Sequence, residues 1–137
     1  MSVYLLDTSV FSQPLRRKPV LSALQHWRDA GEAHCRVSNV TLAEIENGIA
    51  LEQSDLRWRK YEALLQNRLE TVPSGGDVWK KFSSIKARQQ KLGRMVADLD
   101  LLIAATAILH DWTVATLNHR DFSKIETLRW KDWGSCG

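Results

Sequence analysis

The side chains that could do chemistry in this chain of 137 residues are acids and one amide, each at the end of an apolar run. Asp7 closes the strand-like YLL, Asp98 and Asp100 head the long run DLDLLIAATAILHD, and Asn118 and Asp121 follow TVATL. Between them, one of two glutamates, Glu44 or Glu46, lies on a helix expected over residues 38–52. There is no GxSxG elbow, no phosphate loop ending in GK[ST] and no pair of histidines at metal-ligand spacing. With none of these motifs and only four scattered histidines, what remains is the acids at the ends of the elements. Oxygen ligands of this kind suit Mg²⁺ or Mn²⁺, which keep several waters and need only a few carboxylates. Such an ion can lower the pKa of water and neutralise a leaving oxygen, so the chemistry suggested is phosphoester hydrolysis.

These residues need elements to carry them. From Leu101 to Leu109 every residue but Thr106 is aliphatic or Ala, so residues 98–111 predict a helix buried nearly all round. At 3.6 residues per turn Asp98 and Asp100 point to different sides, so they cannot converge on one point. Asp98 fits the N-cap, and Asp100 then projects from the first turn toward whatever lies at the helix head. Residues 3–6 predict a buried strand ending at Asp7, which either caps a helix starting at Thr8 or sits in the crevice at the carboxyl ends of parallel strands. On the 38–52 helix, capped by Ser38, the apolar stripe is Leu42, Ile45 and Ile49. Glu46 lies nearer that stripe than Glu44, so periodicity does not nominate Glu44.

Further helices are expected over residues 20–29, 56–70 and 78–92, and further strands over 34–37, 69–72, 113–117 and 126–129. The alternation predicts an α/β fold in three layers, with a mostly parallel sheet of four or five strands. Length and a hydrophobic content of 44% suit one domain, residues 1–137, that needs no disulfide or metal staple. Cys35 and Cys136, far apart and outside any ligand spacing, read as free thiols in a reducing cytoplasm. The N-terminus lacks a basic leader region and no apolar run is long enough to span a bilayer, so no membrane association is expected. The net charge of +3 permits a polyanionic partner. Two basic stretches could serve one: Arg16, Arg17 and Lys18 between two prolines, and Lys80, Lys81, Lys86, Arg88, Lys91 and Arg94 in a segment without acids.

Four stretches in order, LLDTSV, SNVTLAEIENG, DLDLLIAATAILH and TVATLNHRDF, resemble the PIN-domain ribonucleases, in particular the VapC and FitB type toxins of prokaryotic toxin and antitoxin pairs. The resemblance runs nearly end to end. It implies a PIN-like α/β/α fold and a cytoplasmic, Mg²⁺-dependent endoribonuclease (Mn²⁺ also serving), commonly a homodimer, silenced by a cognate DNA-binding antitoxin. By the same resemblance Asp7, Glu44 and Asp100 match the family's three acids, and Asn118 stands where many members carry Asp or Asn, a weaker fourth ligand for which Asp121 is the alternative, so the resemblance leaves open whether one metal ion or two bind. Asp7 and Asp100 would hold the metal, Glu44 would orient or deprotonate the attacking water, and Ser9 and Asn118 would position ligands or phosphate. Arg16, Arg17, Lys18, Lys80, Lys81, Arg88, Lys91 and Arg94 would follow the RNA backbone. The competing expectation is a catalytically silent PIN fold that binds RNA or a protein. A hydrophobic strand ending in Asp also opens phosphatases of the haloacid dehalogenase type, but those resemble DxDxT there, and Ser9 stands where their second Asp would be.

Overall fold

The computed structural model describes residues 2–135. Cys136 lies outside them, and Cys35 is buried as a free thiol. Five short strands, β1 (Tyr4–Leu6), β2 (Cys35–Ser38), β3 (Glu70–Val72), β4 (Thr113–Thr116) and β5 (Trp130–Asp132), form one sheet in the order β3-β2-β1-β4-β5. Every pairing is parallel, with Leu6 opposite Val37 on one side and Ala115 on the other. Because side chains alternate along a strand, Leu5 and Val114 face one layer while Leu6 and Ala115 face the other. The helices α1 (Thr8–Phe11), α2 (Leu21–Ala30), α3 (Asn39–Glu52) and α4 (Asp55–Leu64) carry most of the second core, around Phe11, Trp27, Ile45 and Tyr61. The first core lies under α5 (Gly76–Leu92), α6 (Asp98–His110) and α7 (His119–Phe122). This is the three-layer arrangement expected, with a sheet parallel throughout.

The long helix is α6, and Leu101 through Ala107 are all buried. Its cap differs from expectation. Ala97 occupies the N-cap without a side-chain hydrogen bond, and Asp98 is the first helical residue, exposed and paired with Lys86 at 3.0 Å. An ammonium within reach was a better partner for Asp98 than the helix's own N–H groups.

Three elements also move by more than one residue. The α4 helix stops at Leu64 rather than 70, because Leu65 leaves the helical region and Asn67 turns left-handed, freeing Glu70 to pair beside Arg36. On α5 the helix begins at Gly76, and Gln89 rather than Leu92 is the buried residue of its last turns, donating to the carbonyls of Arg94 and Lys124. The last strand is residues 130–132, not 126–129. Ile125 and Leu128 are consumed by the core in a turn closed by Leu128 N–H on Ile125 C=O, so pairing with β4 starts only at Trp130. Among the described residues no helix is long and apolar enough to cross a membrane.

Candidate active site at the strand ends

Asp7 follows β1, the central strand, and is only 3% exposed. Its carboxylate is held from three directions. Oδ1 accepts from the Ser9 hydroxyl at 2.6 Å and from Val10 N–H at 3.1 Å, and Oδ2 accepts from the Thr116 hydroxyl at 2.5 Å. Asp7 is therefore both the cap of α1 and a residue of the crevice, and the two readings of the sequence are compatible. The hydroxyls cannot point elsewhere. Ser9 Oγ accepts from Leu117 N–H at 2.9 Å and Thr116 Oγ1 from Asn118 N–H at 2.7 Å. A backbone N–H only donates, so each hydroxyl proton is directed onto Asp7. Burial still pushes the Asp7 carboxyl above the ordinary range for an acid, with these hydrogen bonds working against the shift. Three donors on about four acceptor positions leave about one open, on Oδ2.

Across from it, α6 delivers Asp100 in its first turn. Asp100 is half-buried, and among the described residues it makes no hydrogen bond and no ion pair. Its carboxyl is pushed up to about 6, first by burial and then by the negative charges of Asp7, Glu44 and Asp121. Four acids thus lie within electrostatic reach of one point, and the one at their centre lacks a partner.

Glu44 reaches this side of α3 and accepts from the Thr8 hydroxyl at 2.6 Å, with Thr41 Oγ1 3.4 Å from the same hydroxyl. Glu46 faces away and accepts from the buried Tyr61 hydroxyl at 2.7 Å. That contact explains how a glutamate near the apolar stripe is tolerated. Asn118 precedes α7, and its Nδ2 donates to Asp121 Oδ2 at 3.0 Å. Asp121 is also 3.5 Å from Lys124 Nζ.

The basic residues divide. Arg16 lines a cleft with Thr8 and Glu44, beside the exposed Arg17 and Lys18. On α5 and the turn after it, Lys86 pairs with Asp98, and Arg88 and Arg94 both reach Glu126, at 2.9 and 3.4 Å. The absence of acids along that stretch of sequence is made good by acids folding onto it. Lys80, Lys81 and Lys91 make no ion pair among the described residues.

Thr8, Thr116 and Lys124 were missed as site residues. For the threonines a signal existed, a hydroxyl at the carboxyl end of a buried strand. Nothing local marks Lys124.

Among the described residues, no three His, Cys, Asp or Glu close tightly enough to wrap a metal ion. The donors present are nevertheless all oxygen, with one carboxylate unpartnered and one acceptor position open on another. That set fits a hard, largely hydrated cation held by one or two carboxylates, not one caged by protein.

The sequence profile of the PIN domain matches residues 4–128, and the chain belongs to this family. Over an alignment of 140 positions it is 31% identical to Toxin FitB of Neisseria gonorrhoeae, covering 94% of this chain and 97% of that protein. Ribonuclease VapC2 of Haemophilus influenzae is 28% identical over 135 residues, 97% of this chain and 99% of its own length. Among solved structures, FitAcB from Neisseria gonorrhoeae superposes with a TM-score of 0.86 at 26% identity, covering 96% of this chain and 98% of that one. A DNA-bound VapBC from Salmonella typhimurium superposes with a TM-score of 0.81, also at 26% identity, covering 97% and 99%.

Proposed function

We propose that this protein is an endoribonuclease toxin, dependent on Mg²⁺ or Mn²⁺ and restrained by an antitoxin partner. The observation that carries the reading is the unpartnered Asp100 carboxylate beside Asp7 and Glu44, an arrangement that asks for a cation. Asp7 and Asp100 would hold the ion, which when bound supplies Lewis acidity and a lowered pKa for water. Glu44, fixed by Thr8, orients the attacking water and takes its proton. Ser9 donates its one hydroxyl hydrogen bond to Asp7, so its part is to aim that carboxylate. Asn118 keeps its carbonyl oxygen and one N–H for ligand or phosphate. In-line attack would then form the new phosphorus–oxygen bond as the bond to the 3′ oxygen breaks, the 3′ oxygen taking a proton from solvent to leave as a hydroxyl and the phosphate staying on the 5′ side.

Arg16 at the cleft, with Arg17, Lys18, Lys80, Lys81 and Lys91, follows the RNA backbone, so affinity should fall with salt. Arg88 and Arg94 contribute less, because Glu126 already neutralises part of their charge. The names of the relatives, a ribonuclease and a toxin, support substrate and role. The VapBC likeness supports an antitoxin that also contacts DNA. An enzyme of this kind works where RNA is, in the cytoplasm. Trp79 (49% exposed) and Leu99 (44%), flanking a groove with Ala43 and Leu102 beside Glu44, support pairing of two copies there.

The test is cleavage of total cellular RNA by the purified protein in Mg²⁺ or Mn²⁺, beside an EDTA control and Asp7→Asn. Cleavage lost in both controls supports the reading. The neutral Asn118 favours a second reading, a catalytically silent PIN module that binds RNA or protein. Neither cleavage nor metal binding would select it.

A further inference from the structure

Asp100 and Asp121 lie within electrostatic reach of each other, yet their carboxylates are in opposite states. That of Asp100 has no hydrogen-bond or ion-pair partner among the described residues. At Asp121, Oδ2 accepts from Asn118 Nδ2 at 3.0 Å and Oδ1 faces Lys124 Nζ at 3.5 Å. On its other, exposed side the ammonium lies 3.3 Å from the carbonyl oxygen of Met95 in the turn before α6. The Lys124 backbone is itself anchored, since its carbonyl accepts from the buried Gln89 side chain at 3.1 Å. Lys124 therefore bridges the segment that delivers Asp100 to the helix that carries Asp121.

We propose that Lys124 is a built-in cation standing in the place of a second metal ion, so that the site of this chain takes a single divalent ion, on Asp7 and Asp100. The inference rests on the metal-dependent reading above and adds to it the number of ions and the residue that sets it. Charge arithmetic agrees. Asp7, Glu44, Asp100 and Asp121 carry −4 when ionised, and Lys124 brings the sum to −3. One divalent ion reduces that to −1, whereas a second would invert it to +1 before any substrate arrives. A second ion would also have to displace an ammonium from the oxygen it needs, and like charges that close repel strongly in a partly desolvated site. Each oxygen of Asp121 faces an N–H donor, and one of those donors is an ammonium, so positive charge already stands beside this acid and it serves as a brace between Asn118 and Lys124.

The experiment counts bound Mn²⁺ on the full chain by the paramagnetic resonance of the free ion, with circular dichroism to check folding. Wild type is expected to bind one Mn²⁺ per chain. Lys124→Met should bind two, the second at least tenfold more weakly, and adding Asp121→Asn to that variant should return the count to one. Lys124→Arg keeps the charge and should stay at one. Asp121→Asn alone should also keep one ion with its affinity changed less than threefold, which tests the idea even where Lys124→Met does not fold. Two ions on wild type, one on folded Lys124→Met, or loss of the first ion in Asp121→Asn would each overturn the inference. No binding to wild type has a different signature and removes the metal-dependent reading together with it.

Discussion

Asp100→Asn should make the metal-free protein more stable and pH decides by how much. The folded carboxyl is raised from an ordinary 3.8 to about 6, so between those values the folded chain binds a proton that the unfolded chain has released. Stability contributed by this group therefore falls as pH rises through that window, is fully lost above about pH 6 and is unaffected below the ordinary value. Two pKa units correspond to about 3 kcal/mol. Asp100 is only half-buried, and solvent screening reduces the penalty to about 1–2 kcal/mol. Asparagine removes the charge while keeping size and polarity, and it also relieves Asp7. In EDTA at pH 7.5 the variant should melt higher by about 3–8 °C, converting free energy to temperature for a domain of this size. The gain should shrink toward zero near pH 4. Added Mg²⁺ should raise the melting temperature of wild type but not of the variant, since only a ligand that binds the folded form shifts the transition, and cleavage should be lost. A variant that melts lower than wild type in EDTA at pH 7.5, or a gain independent of pH, would refute the reasoning and make Asp100 a structural acid.

Three further predictions concern the frame around the site. Thr116 is fully buried and its hydroxyl serves both Asp7 and Asn118 N–H, so Thr116→Val should cost about 1–3 kcal/mol in urea unfolding while Thr116→Ser costs less. At Ala97 the backbone is already extended (φ −59, ψ 143), as an N-cap requires, so Ala97→Ser should stabilise by about 0.5–1 kcal/mol, read as a higher urea midpoint at unchanged slope. Ile103 is fully buried in the middle of α6, and Ile103→Ala should cost about 2–5 kcal/mol by the same assay.

What the sequence revealed and what it hid follow from range. Leu101 to Ala107 read correctly as a buried helix because an unbroken apolar run has few other resolutions, and YLL before Asp7 read correctly as a central strand for the same reason. Glu44 could not be separated from Glu46 by periodicity, because the residue that makes Glu46 tolerable near the core is Tyr61, on the next helix. Asp98 looked like a cap because Lys86, its partner, lies on the preceding helix. The basic stretch from Lys80 to Arg94 looked unopposed until folding brought Glu126 onto it. In each case the deciding group lies outside the window in which helix or strand periods operate. The site acids at strand and helix ends were visible, whereas the hydroxyls and the ammonium that aim or neutralise them required the topology.

The strand order has a consequence for when the protein can act. The central strand is made first, yet one of its two sheet neighbours is β4, and the Thr116 hydroxyl that secures Asp7 lies 109 residues further along. Asp7 N–H likewise waits for the carbonyl of Ala115. During synthesis from the N-terminus, a chain that has reached α3 already carries Asp7 and Glu44 but neither Asp100 nor the Thr116 hydroxyl. The acids come into register only when nearly all of the chain is available to fold. Such contacts, close in space and remote in sequence, are slow to form. On the proposed reading, a chain that stops short of β4 lacks the groups that complete the site and should not cleave RNA.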